Sequence, residues 1–142
     1  MFSKEESRQL RQEFWTSFGK SFPRKWILYD TKIKGLAFKF HFDTKSAMVA
    51  LDVEDDLEQR ITIWERLESL KSILKMDYLP NAIFAEEFIL KNGKEISRIY
   101  LPLEQKVSIH NKNTWREVMV FFNDEMLKFE LFFEDFEDVL RV

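Results

Sequence analysis

Glu104-Gln105-Lys106 has the most direct chemical reading in this chain: a carboxylate that holds Mg²⁺, with a lysine two residues on that positions the attacking water, is the Glu-x-Lys device of restriction-type nucleases. That chemistry needs a second acid from a neighbouring strand. The expected hairpin register sets Glu104 opposite Asn81, with Glu86 and Glu87 five or six positions away, while Asp77 sits at a helix end. A solvated strand end is the plainer reading of the tripeptide. His41 and Asp52 share a predicted sheet face but lie about 13 Å apart at ~3.3 Å per residue, too far to cooperate. His110 belongs to a loop before the last helix, and two separated histidines without cysteine give no metal spacing. Gly19, Gly35 and Gly93, the only glycines, form neither a P-loop nor a dinucleotide turn. No metal or cofactor is expected, and no catalytic centre beyond the alternative of Glu104 and Lys106.

The segment from Lys20 to Lys34 interleaves Lys20, Arg24, Lys25, Lys32 and Lys34 with Phe22, Trp26 and Tyr29. Cations neutralise phosphates and aromatics stack on bases, so Arg24, Lys25, Trp26, Lys32 and Lys34 form a candidate nucleic-acid surface. The same residues would equally serve as an anchored connection whose cations are merely solvated. Net charge is −3, yet residues 1–50 hold ten Lys/Arg against five Asp/Glu, and the remainder twelve against twenty. The two halves neutralise one another if the fold brings them together.

The elements that must position these residues are legible from periodicity. Apolar residues at Trp115, Met119, Phe122, Met126, Phe129, Phe133, Phe136 and Leu140 mark a long helix of roughly 40 Å at ~1.5 Å per residue, more than one small sheet covers alone. Other helices or a second subunit must help. The first helix opens at a Ser3/Glu6 capping box and carries Leu10, Phe14, Trp15 and Phe18 to about Lys20. From Leu36 the period is two, and a Thr44-Lys45 turn pairs Phe42 with Ala47, Phe40 with Val49, Phe38 with Leu51 and Leu36 with Val53. The other face of this hairpin takes Lys39, His41, Met48, Ala50 and Asp52.

A second helix, capped by Asp55 and Glu58, is expected to bury Leu57, Ile61, Trp64, Leu67, Leu70 and Leu74. Asn92-Gly93 signals a type I′ hairpin between about Ile83–Lys91 and Lys94–Leu103, with Glu87 opposite Arg98 as an ion pair. Thr114 and Glu117 would cap the last helix. The order α-β-β-α-β-β-α predicts an α+β fold: one domain, 1–142, with a four-stranded, mainly antiparallel sheet and three helices packed chiefly on one face.

Phe14-Trp15-x-x-Phe18-Gly19, Lys25-Trp26, Ile33-Lys34-Gly35 and the Trp115…Phe136 helix together resemble the bacterial and archaeal family catalogued as domain of unknown function 4268, over nearly the whole chain. That resemblance implies no established reaction. Some relatives carry a similar domain after a nuclease-like one, which implies a link to nucleic-acid processing or defence and a nuclease-type protein partner. These 142 residues include no such second domain.

Two functional classes result. One is an interaction or accessory module without a catalytic centre; the alternative is a Mg²⁺-dependent nuclease-like enzyme using Glu104 and Lys106. No apolar run reaches the ~20 residues of a membrane span, the charged start lacks a signal-peptide pattern, and the absence of Cys fits a reducing compartment, so the expected location is the cytoplasm with no membrane contact. Val120, Leu127 and Leu131 lie off the main stripe of the last helix and are the expected centre of a homodimer contact. Glu130, Glu134, Asp135, Glu137 and Asp138 place negative charge toward its C-terminal end.

Overall fold

The alternation from Leu36 to Val53 folds as a hairpin whose inward residues meet in the anticipated register, Leu36 opposite Val53 through Phe42 opposite Ala47. The computed structural model describes residues 2–141. It orders them α1 (Lys4–Ser21), β1 (Leu36–Phe42), β2 (Ala47–Val53), α2 (Leu57–Ser69), α3 (Lys71–Asp77), β3 (Ile83–Ile89), β4 (Glu95–Pro102), a 3-10 turn (Lys112–Thr114) and α4 (Trp115–Leu140). The sheet is antiparallel throughout, in the order β1-β2-β4-β3. This is an α+β fold with four helices among the described residues, rather than the three expected.

The extra helix arises where the second helical stretch breaks at Leu70 (φ −101°, ψ 3°), whose N–H bonds back three residues to Leu67. Ser69 Oγ donates to the Arg66 carbonyl at 2.6 Å, so a side chain competes for the helical acceptors at the break. Asp56, not Asp55, caps α2, accepting the Gln59 N–H at 3.0 Å. The buried stripe is correspondingly turned: Ile63, Trp64, Leu67, Leu70 and Leu74 are inside, whereas Leu57 and Ile61 face solvent. At α4 the Thr114 hydroxyl gives no cap; it donates toward the Ser108 and Asn111 carbonyls, and Asn111 caps the 3-10 turn instead. The Ser3/Glu6 capping box of α1 is present in both directions.

The second hairpin also departs from its expected register. Only Gly93 of the Asn92-Gly93 pair has positive φ (+87°), and Leu90 N–H bonds the Lys94 carbonyl, so the loop has three residues with a left-handed glycine rather than a type I′ pair. A further irregularity between Ala85 and Phe88 shifts the ladder again, placing Arg98 opposite Ala85. The expected Glu87–Arg98 pair therefore does not form.

One core unites Phe38, Val49, Leu51, Trp64, Leu67, Phe122, Phe129 and Phe133, with Phe40 half-buried against it. The length of α4 is covered from two ends. Phe14 and Phe18 of α1 pack edge-on against Phe122, while Tyr78, just after α3, packs on Phe132 and Phe136. The chain thus supplies its own cover for that helix. No helix among the described residues is long and apolar enough to cross a membrane.

Candidate functional site

Between α1 and β1 the chain runs as a strap, residues 22–35, whose cations the fold distributes rather than clusters. Trp26 is half-buried, stacked on Phe18 and edge-on to Phe40, and the Arg24 guanidinium lies 5.0 Å over its ring. Trp26 is therefore an anchor of the strap. Tyr29, by contrast, is 74% exposed. Arg24 and Lys25 are exposed on the first half of the strap.

Lys32 and Lys34 lie on the second half and meet cations that the sequence places far away. With Arg66 of α2 and Arg141, just beyond α4, they line an open cleft of about 520 Å³, together with Asp55, Asp56, Gln59, Ile63 and Leu140. Arg141 ties the walls together, donating to the Thr31 and Lys32 carbonyls at 3.0 and 3.2 Å and pairing with Glu137 at 3.3 Å. Arg66 Nη1 reaches the Leu140 carbonyl at 3.3 Å. Lys32 pairs with Asp30 at 2.6 Å. Among the described residues, neither Lys34 nor Arg66 has a carboxylate within 4.0 Å. Asp55 and Asp56 are occupied instead with the main chain at the start of α2.

Gly35 lets these walls approach. Its φ is +82°, and a Cβ there would meet Asp55 Cβ at 2.9 Å, so both conformation and space require glycine. Gly35 O also accepts the Glu54 N–H at 2.7 Å, joining the strap to the chain that leads into α2.

Other polar candidates fall elsewhere. Asp52 is buried, but its partners are Arg98 and Lys39 rather than a histidine; His41 bonds Asp43 at 3.0 Å and His110 bonds Ser7 at 2.9 Å. Glu104 and Lys106 are exposed in the loop after β4. Among the described residues no group of three or more His, Asp or Glu side chains gathers at metal-holding distance. Val120 and Leu127 are half-buried on α4, and Leu131 is 43% exposed.

Three contributors escaped the sequence. Arg66 and Arg141 sit in ordinary helical charge patterns, and only the tertiary fold brings them to Lys34. Glu130, grouped by sequence with the acidic end of α4, is 2% exposed and accepts the Ile27 N–H at 2.7 Å. Its apolar neighbours Phe129, Phe132 and Phe133 hinted at burial, but nothing in its own spacing did.

The fold and this surface describe a small α+β module with a charged cleft of four cations and two acids beside its strap. The chain belongs to the family Domain of unknown function (DUF4268), whose family model matches residues 10–137. No curated protein and no solved structure matches it.

Proposed function

We propose that this chain is a non-catalytic accessory module that holds single-stranded nucleic acid by its phosphates in the cleft of Lys32, Lys34, Arg66 and Arg141. The observation that carries this reading is the convergence of four cations from the strap, α2 and the end of α4 on one cleft, against two acids, Asp55 and Asp56, that face main-chain N–H groups at the start of α2. Lys34 and Arg66 have no carboxylate partner among the described residues, so phosphate oxygens would not have to displace one. Tyr29, exposed on the same strap, offers a face on which a base stacks. Trp26 serves this surface as an anchor, with Arg24 and Lys25 as further phosphate contacts.

Fluorescence anisotropy of a labelled single-stranded oligonucleotide, titrated with the protein across a salt series, tests the reading. Affinity is expected to fall steeply with salt, and Lys34→Ala with Arg66→Ala to flatten that slope by about 1.4, at about 0.7 per phosphate contact on single strands. No binding even at low salt overturns it. Cleavage of the oligonucleotide in Mg²⁺, lost in Glu104→Gln, would replace it with the nuclease-like alternative. A nuclease-type protein partner is the further expectation this reading leaves standing, and co-purification with such a partner is its check.

A further inference from the structure

We propose that the strap is a switchable cover: Glu130 sets how firmly it is shut, and its opening bares the Leu36–Phe38 edge of β1 and takes Lys32 out of the cleft. The consequence for the cleft rests on the nucleic-acid reading above; the opening itself does not.

Phe22, Trp26, Ile27, Leu28 and Ile33 pack the strap half-buried against the core, and a small set of hydrogen bonds fastens its main chain. Leu28 O accepts the Phe38 N–H at 3.0 Å, so the strap covers the first part of the free side of β1. Thr31 Oγ1 donates to the Leu36 carbonyl at 2.7 Å, and Arg141 holds the Thr31 and Lys32 carbonyls. Glu130 holds the start of the turn from Ile27 to Asp30, just ahead of these ties. The strap carries strain at Leu28 (φ +45°), inside this turn, and at Lys32 (φ +63°), beyond it: both are left-handed without being glycine, a conformation that costs energy for any residue with a Cβ. Opening of the turn releases this strain, which offsets part of the packing that opening loses.

Glu130 fastens that turn with a buried carboxyl. The charged groups that face it are Arg24, from the strap, and Glu134, one turn on along α4. Burial pushes its pKa above the ordinary glutamate value, Glu134 adds to this, and the Ile27 and Leu28 amides and Arg24 do not offset it. A carboxyl whose pKa is raised by closure binds its proton more tightly in the closed form. Closure is therefore strongest at low pH and weakens as pH rises through the closed-form pKa.

Amide exchange by NMR on the intact chain, without oligonucleotide, tests this. Protection at Ile27, Leu28 and Phe38, relative to Leu51 in β2, is expected to fall about tenfold for each unit by which closure raises the Glu130 pKa. The inflection must coincide with the Glu130 carboxyl titration, followed by its ¹³C shift in the same sample. In Glu130→Gln, which keeps an acceptor for Ile27 without the charge, protection is expected to be independent of pH. Flat protection in the wild type, or an inflection that follows His41 or His110, overturns the proposal. Should Glu130→Gln fail to fold, the wild-type comparison of the two inflections decides alone. Oligonucleotide affinity measured across the same pH range separates the two readings: strap opening without any oligonucleotide binding sinks only the cleft.

Discussion

Arg98 donates from Nε and Nη2 to the two carboxylate oxygens of Asp52, at 2.6 and 2.9 Å, on the sheet face turned away from the helices. Lys39 reaches the same carboxylate at 3.2 Å, and the Arg98 guanidinium lies 4.3 Å over the Phe88 ring. Two cations on one buried acid, joined through Lys39 to Glu54 and Lys94, make a network that spans three strands. Removing Asp52 alone, as Asp52→Ala, is expected to cost about 3–5 kcal/mol by leaving Arg98 buried and unpaired. Asp52→Leu with Arg98→Met should cost clearly less than the two single changes together. Urea unfolding of Asp52→Leu, Arg98→Met and the double variant decides; additive losses would mean that the pair is not coupled.

Phe129 is fully buried and packs edge-on against Phe38 at 5.3 Å, so it bridges α4 and β1. Phe129→Ala is expected to lose about 3–5 kcal/mol in denaturant melts. A loss below about 1 kcal/mol would refute its place at the centre of the core.

Gly35→Ala forces a Cβ into Asp55 at a left-handed position. The expected loss exceeds about 1 kcal/mol. Because Gly35 joins the strap to the approach to α2, the same variant should also weaken oligonucleotide binding. Unchanged stability would show that the strap end has slack.

Asp43 stands at the β1–β2 turn. Burial acts to raise its carboxyl, but the Lys45 N–H, His41 and the Ser46 N–H outweigh that and bring it down to about 2. With a depressed folded pKa, its stabilisation is present above the ordinary aspartate value of about 4 and is lost as pH falls toward about 2. Thermal melts of wild type and Asp43→Ala should therefore differ most above pH 5 and converge in acid. A constant difference down to pH 2 would contradict the depressed pKa.

Leu131 is exposed and Val120 and Leu127 half-exposed on α4, among Arg116, Asp124 and Lys128. Association of two copies through this face predicts a dimer mass in light scattering at micromolar concentration, and folded monomers for Leu127→Glu. A strictly monomeric wild type ends that expectation, since α1 and Tyr78 already cover the length of α4.

The sequence was most legible where one period decides one face. Strict alternation allowed a single register for β1 and β2, because a one-residue slip would have turned Phe38 and Leu51 outward. It was least legible where a local device resets the count. A three-residue loop at Gly93 and the bulge after Ala85 moved Arg98 away from Glu87, and the Ser69 hydroxyl ended a helix whose apolar pattern ran on. The cleft was half visible: Lys32 and Lys34 stand in a basic stretch, whereas Arg66 and Arg141 gain their role from tertiary contact alone. Glu130 was hidden because an acid among acids looks like surface.

The bulge in β3 settles how far this sheet could grow. β1 and β3 are its two rims, and at the β3 rim the exposed Glu86 and Glu87 interrupt the ladder with a pair of negative charges, a poor template for an incoming strand. The β1 rim is regular, and its Leu36–Phe38 part becomes available when Leu28 releases Phe38 and Thr31 releases Leu36. Two copies joined β1 to β1 leave only their charged β3 rims outside, so growth stops at the pair. Exposure of that rim would therefore yield finite pairs, not fibres.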